Sequence, residues 1–150
     1  MEKKGNELLL DRKKIGYFAA GKIASLSVLP TLDWATEVAK REDVAVVSGF
    51  HSKLEREVLD FLLRGRCGII YLLSRSMYKI IPTRFREAFD AGRILFIAPY
   101  KTDSTNFGRK LCIGCNKYAA NISDELVFSS LTPDSSLYPL SLTTKPTLLL

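Results

Sequence analysis

The sequence predicts an α/β protein built on an open, doubly wound, mostly parallel five-stranded Rossmann-like sheet with helices on both faces. Three observations predict it. Short apolar runs recur along the chain, and each is followed by a segment whose apolar residues return every three or four positions. The connections are short, as expected when parallel strands are joined by right-handed helical crossovers. The chain holds 150 residues, a one-domain length with too few units for a barrel, which takes about eight.

The strand runs are Ile15 to Ala20, Val44 to Ser48, Gly68 to Leu73, Ile94 to Ala98 and Leu126 to Ser130. Each is apolar on both sides, the pattern of strands covered on both faces. The first helical stripe carries Leu32, Ala35, Val38 and Ala39, and the second Leu54, Val58, Phe61 and Leu62. The third carries Phe85, Ala88 and Phe89, with Pro82 suited to its first turn, and the fourth carries Leu111, Cys115, Tyr118, Ala119 and Ile122. Gly65 and Gly92 stand where helix C-caps belong.

Residues 1–13 read as a polar lead-in with a short strand or helix around Leu8 to Leu10, and residues 14–131 as the Rossmann-like domain. From Thr132 to Leu150 the chain is rich in Ser, Thr, Pro and Leu without a period, which reads as a tail draped over the domain or partly disordered.

Apolar residues make up 47% and charged residues 25%, a balance that excludes a disordered chain. The formal charge of +6 and pI near 9.3 favour a polyanionic partner over an acidic one. No run of 18 or more apolar residues exists and the N-terminal segment lacks a secretory core, so the expected location is the cytoplasm, with no membrane partner. Three cysteines, an odd number, agree with a reducing compartment. Cys112-Ile-Gly-Cys115 has the spacing of half a zinc site, but no second ligand pair exists and His51 is the single histidine. Neither a metal nor a cofactor is expected.

In such sheets ligands bind outside the carboxyl ends of the strands. Those segments carry Lys22, Lys53, Arg75, Lys79, Lys101, Arg109 and Lys110 against few acids, chiefly Asp103 and Glu55. Phe50, Tyr78, Tyr100 and Phe107 lie among them, and bases stack on such rings at about 1 to 3 kcal/mol each. The plainer reading is that these lysines are solvated and these rings cover a core edge.

Two strand-to-helix turns end in small residues and a cation: Ala20-Gly21-Lys22 and Ser48-Gly49-Phe50-His51-Ser52-Lys53. In the second, Gly49 is free to take positive φ, Ser52 is placed to cap the next helix, and the N–H groups there are expected to face solvent, ready for a phosphate. Ser52 with Glu55 also fits a capping box, which explains both residues without a ligand. Lys53 in the first helical turn opposes the macrodipole, which favours an anion nearby. Catalysis has little support, because His51 is the single candidate imidazole base and Cys67, Cys112, Cys115 and Trp34 fit packing positions.

Taken in order, these segments resemble the core of the DprA/Smf family of DNA-processing proteins. Val46-Val47-Ser48-Gly49 matches that family's second turn, and Tyr78-Lys-Ile-Ile-Pro82 is similar to its Tyr-Pro segment. Cys115-Asn116-Lys117 and the following Ile122-Ser123-Asp124 resemble its Arg-Asn-Arg stretch and what comes after it. The likeness spans about residues 13–131. It implies a Rossmann-like module that binds single-stranded DNA without chemistry, acts in natural transformation and DNA recombination, and partners a recombinase. Lys22, Lys117 and the Ser48-Gly49 turn would then contact phosphates. With the neighbouring candidates, the expected phosphate-binding set is Gly21, Lys22, Ser48, Gly49, Phe50, His51, Ser52, Lys53, Arg109, Lys110, Asn116 and Lys117. The chain departs from the pattern at Ala20-Gly21-Lys22 for Gly-Ser-Arg, at Lys53-Leu54-Glu55 for Gly-Ile-Asp, and at Cys115 for an arginine. A point charge at Lys22 cannot grip a phosphate with two parallel bonds.

Two other classes stay open. One is a small-nucleotide sensor or a hydrolase of the LOG type, although that family's Pro-Gly-Gly-x-Gly-Thr-x-x-Glu is absent here. The other is an interaction protein with a vestigial site, whose Leu-rich tail forms a homodimer.

Overall fold

The structure, a computed structural model, describes residues 1–102 and 108–150. Asp103 and Phe107, assigned above to the binding edge, lie outside the described residues. The strands are β1 (Glu2–Gly5), β2 (Lys13–Ala19), β3 (Val44–Ser48), β4 (Gly68–Leu72), β5 (Ile94–Ala98), β6 (Glu125–Ser129) and β7 (Thr147–Leu149). The helices are α1 (Ser25–Ala39), α2 (Lys53–Leu63), α3 (Thr83–Asp90), α4 (Arg109–Ile122) and α5 (Tyr138–Ser141), with a 3-10 turn at Glu7–Asp11.

The sheet has seven strands in the order β1-β5-β4-β3-β2-β6-β7, which corrects the expected five. The five apolar runs form its centre, all parallel. Both additions come from the terminal segments. β1 pairs antiparallel with β5, Glu2 opposite Ala98, and β7 pairs parallel with β6, Val127 opposite Leu148. Edge strands satisfy their backbone through one neighbour and bury few side chains, so they leave no hydropathy pattern to read. Glu2-Lys-Lys-Gly5 is mostly exposed, and so is Thr147-Leu-Leu149.

Right-handed crossovers explain the two layers. The chain moves from β2 through β3 and β4 to β5 in one direction, which places α1, α2 and α3 on one face. Their residues Ala35, Val38, Leu54, Val58, Leu62, Phe85 and Ala88 share one core with Ile15, Tyr17, Val46 and Ile69. From β5 the chain crosses back past the start to β6, so α4 covers the opposite face. There Cys115 and Ala119 pack with Phe18, Val47, Ile70 and Phe128, together with Leu9 and Leu137 from the terminal segments.

α1 begins seven residues before the predicted stripe. Leu26 and Leu29 face solvent, so the apolar period starts to register only at Leu32. Pro82 stands at the N-cap of α3 rather than inside its first turn, and Gly92 follows the C-cap at φ +73°, the left-handed position a C-terminal glycine serves.

Candidate functional site

The site follows from the strand order. β2 and β6 are neighbours, with Ala19 opposite Ser129, yet the chain leaves them toward opposite faces. After β2 it enters α1, and after β6 it runs through residues 130–137 to bury Leu137 against the other core. This divergence is the topological switch point, where a crevice opens beyond the carboxyl ends of the strands. A cleft of about 420 Å³ lies there, lined by Ala20 to Ala24 on one side and by Ser130, Thr132, Asp134, Ser135 and Ser136 on the other. A second hollow of about 300 Å³ adjoins it through Ala20, Gly21, Ser135 and Ser136. His51, Ser52, Glu55, Arg109, Cys112 and Asn116 contribute to its wall.

Of the predicted site residues, Gly21, Lys22, His51, Ser52, Arg109 and Asn116 converge on these hollows. A Cβ at Gly21 would meet nothing within 4 Å, so the bend is open to a ligand. Lys53, Lys110 and Lys117 are exposed and line neither hollow. Ser48 is buried and its Oγ accepts the Phe50 N–H at 3.1 Å. Phe50 is no stacking platform: it is fully buried, with its ring 4.9 Å from that of Tyr71. Positive φ falls on Phe50 (+50°) and not on Gly49. Gly49 is needed for a different reason, since a Cβ there would run into the His51 ring.

The two bends do meet, but the link is a carboxylate. Glu55 Oε2 accepts the Ala19 N–H at 2.9 Å, and Oε1 accepts those of His51 (2.7 Å) and Ser52 (3.1 Å). Ser52 Oγ accepts the Glu55 N–H in return, which completes the capping box. The His51 and Ser52 N–H groups ahead of α2 therefore face Glu55 and not solvent, contrary to the sequence expectation for that bend. A buried side-chain carboxyl group already occupies the place beside the second bend where a phosphate would meet these donors.

The N-termini of α1 and α4 are different. Neither has a side-chain cap or an acid in its first turn. Ala24 ahead of α1 donates its N–H to Ser130 Oγ at 3.0 Å, across the switch point. Lys22 stands beside α1, and Arg109 opens α4 and lines the second hollow. Two positive helix ends and two cations thus face the crevice. Asp134 is the opposing charge, kept below the usual carboxylate range by the Thr132 hydroxyl that donates to it. Burial pushes the His51 pKa down to about 4, so its imidazole is neutral near physiological pH.

The cysteines hold packing positions. Cys112 Sγ donates to Ser74 Oγ at 3.4 Å and Cys115 Sγ to the Leu73 carbonyl at 3.5 Å, and burial raises the Cys115 thiol to about 12. Among the described residues no group of three or more His, Cys, Asp or Glu side chains could hold a metal ion, and no helix is long and apolar enough to cross a membrane.

No known family model matches the chain, and no curated protein does. Solved structures do match. DNA processing protein A (DprA) from Helicobacter pylori superposes with a TM-score of 0.73 over 98% of this chain, at 22% identity. This chain has the DprA fold. DprA from Streptococcus pneumoniae superposes with a TM-score of 0.75 over the same share, at 13% identity. The chain spans 69% of the first and 53% of the second. The H. pylori DprA structure concerns its binding mode for single-stranded DNA.

The DprA likeness covers the terminal segments as well as the predicted centre, so the switch-point wall at Ser130 to Ser136 belongs to the fold. Sequence reasoning missed that wall because it placed Ser130 at the end of a strand and the residues from Thr132 onward in a tail. The strand order, which the sequence does not carry, reveals the wall, since the switch point lies wherever the chain reverses its course across the sheet.

Proposed function

We propose that this chain is a DprA-type nucleic-acid-binding module that takes single-stranded DNA, or a nucleotide, through phosphate contacts at the carboxyl edge of the sheet and performs no chemistry on it. The observation that carries this reading is the crevice between β2 and β6, where the uncapped ends of α1 and α4, Lys22 and Arg109 face one opening. Backbone N–H groups and cations together favour a phosphate. Gly21 leaves the backbone open to approach, and Asn116 and Ser52 add polar groups at the rim. Lys53, Lys110 and Lys117 supply surrounding field rather than direct contact. A recombinase partner, which rests on the family resemblance, a homodimer and a cytoplasmic location complete the proposal.

Fluorescence anisotropy with a labelled oligonucleotide at two salt concentrations tests it. For single strands, each phosphate contact removed lowers the slope of log affinity against log salt by about 0.7. Lys22→Ala and Arg109→Ala are each expected to show that drop. No binding by the unaltered protein at low salt, or an unchanged slope in both variants, would refute the reading.

A free nucleotide is the second reading, because about 420 Å³ falls within the range of small-ligand sites of about 300 to 1,000 Å³. A thermal-shift series separates the two. A nucleotide at about 100 times its dissociation constant adds about 2.7 kcal/mol of stability.

A further inference from the structure

The face carrying α1 and α2 holds a second basic surface, which neither the switch-point crevice nor the sequence reading includes. A groove of about 820 Å³ runs between Leu32 of α1, the outer side of α2 and Arg84 of α3. A hollow of about 640 Å³ continues it past Arg64 and Phe61 to Lys40 and Arg66. Phe61 and Arg64 line both. Arginines dominate its rim, and the acids facing them there are Glu57 and Asp60.

Three features mark this as more than a solvated helix face. First, Arg84 pairs with Asp60 and Lys40 with Glu37, whereas Arg56, Arg64 and Arg66 have no ion-pair partner among the described residues. Second, the cations are mainly arginines, whose planar fork matches a phosphate and stacks on rings. The Arg64 guanidinium already lies 5.2 Å from the centre of the half-buried Phe61 ring. An arginine-flanked aromatic ring within a cationic groove is the arrangement on which single-stranded bases stack. Third, the surface joins the crevice. Lys53 and Arg56 on α2 and Arg64 at its C-cap follow one exposed stripe, and Arg56 donates to the His51 carbonyl at 2.5 Å, at the bend that walls the crevice. At 1.5 Å per residue the stripe runs about 16 Å from the carboxyl toward the amino edge.

We propose that this arginine groove is a second contact surface for a single-stranded nucleic acid, which leaves the switch-point crevice past Arg56, stacks a base on Phe61 and sets its phosphates against Arg64 and Arg66. The inference rests on the reading under Proposed function for the direction of the strand, but the groove would bind by itself if that reading failed. It makes affinity depend on length: a short strand fills the crevice, and a longer one reaches the groove.

The test uses the full chain with oligothymidylates of about 6 and about 20 nucleotides, read by anisotropy across a salt series. In R56A/R64A/R66A the longer strand is expected to lose at least about tenfold in affinity and about 2 in salt slope, while the short strand binds as before. Phe61→Leu, which keeps an apolar group against the core, is expected to cost the longer strand about fivefold or more with little change in slope. Circular dichroism melting confirms that each variant is folded. Unchanged binding of the longer strand in the folded triple variant overturns the groove. So does an equal loss for both lengths, which would make the effect one of general charge, or equal competition by polyglutamate, which would make the surface one for acidic protein. Failure of the crevice reads differently: the short strand does not bind the unaltered protein, while the longer one binds and loses affinity in the triple variant. No binding of either length overturns both.

Discussion

The Glu55 carboxylate accepts the Ala19 N–H at 2.9 Å, joining residues 36 positions apart. One buried side chain thereby clamps the end of β2 to the start of α2 and holds the two bends beside each other. The same group takes up the His51 and Ser52 N–H groups ahead of α2, whereas the ends of α1 and α4 carry neither a side-chain cap nor an acid in the first turn.

Removing that acceptor strands the Ala19, His51 and Ser52 N–H groups in or near the core. Each buried donor left without a partner costs about 1 to 3 kcal/mol. Glu55→Ala is expected to lose about 3 to 5 kcal/mol in urea unfolding and Glu55→Gln, which keeps one acceptor oxygen, roughly half of that. A Glu55→Ala protein as stable as the unaltered chain would show that the clamp carries no weight.

His51 supplies a pH signature. Its folded pKa of about 4 lies below the ordinary 6.5, so the folded state releases the proton more readily than the unfolded one. The stability this contributes is complete above about 6.5 and drains away as pH falls toward 4, by roughly 3 kcal/mol. Glu55 works in the opposite sense, since burial raises its carboxyl pKa and protonation then favours the folded state. Because His51 is the single histidine, one imidazole Cε1–H resonance reports the titration by NMR. A midpoint near 6.5 would mean the ring is solvated.

Gly49 and His51 form a steric pair. Adding a methyl group at Gly49 drives it into the imidazole, so Gly49→Ala is expected to cost about 1 to 3 kcal/mol. Introduced together with His51→Ala, the same change should cost markedly less, and a double-mutant cycle from thermal melts measures the difference. Additive losses would place the strain elsewhere.

The terminal segment is structural. Ending the chain at Leu131 strips the buried Leu137 from its core and removes β7 from the edge of β6. It also removes Lys145, whose ammonium donates to the Ala120 and Asn121 carbonyls at the end of α4. A loss of at least about 2 kcal/mol is expected by thermal melting, from Leu137 alone. An unchanged melting temperature would make the segment a mere appendage.

Much of the fold was legible because its five central strands bury both faces. Ile15, Val46, Ile70, Phe96 and Val127 must each be apolar, and so the runs stand out in one dimension. Local chemistry was legible too: Ser52 and Glu55 make the capping box that their spacing announces. The edge strands Glu2–Gly5 and Thr147–Leu149 were not, because hydrogen bonding to one neighbour places no demand on side-chain type.

The amino-acid order by itself determined the α/β class, the parallel centre and a cationic carboxyl edge, because burial and helix capping act between near neighbours. Only the tertiary structure decided that Glu55 satisfies the second bend, that Phe50 turns into the core, and that Ser130 to Ser136 wall the crevice. Those outcomes depend on which strands lie side by side, and contacts between residues far apart in the chain leave no periodic trace in it.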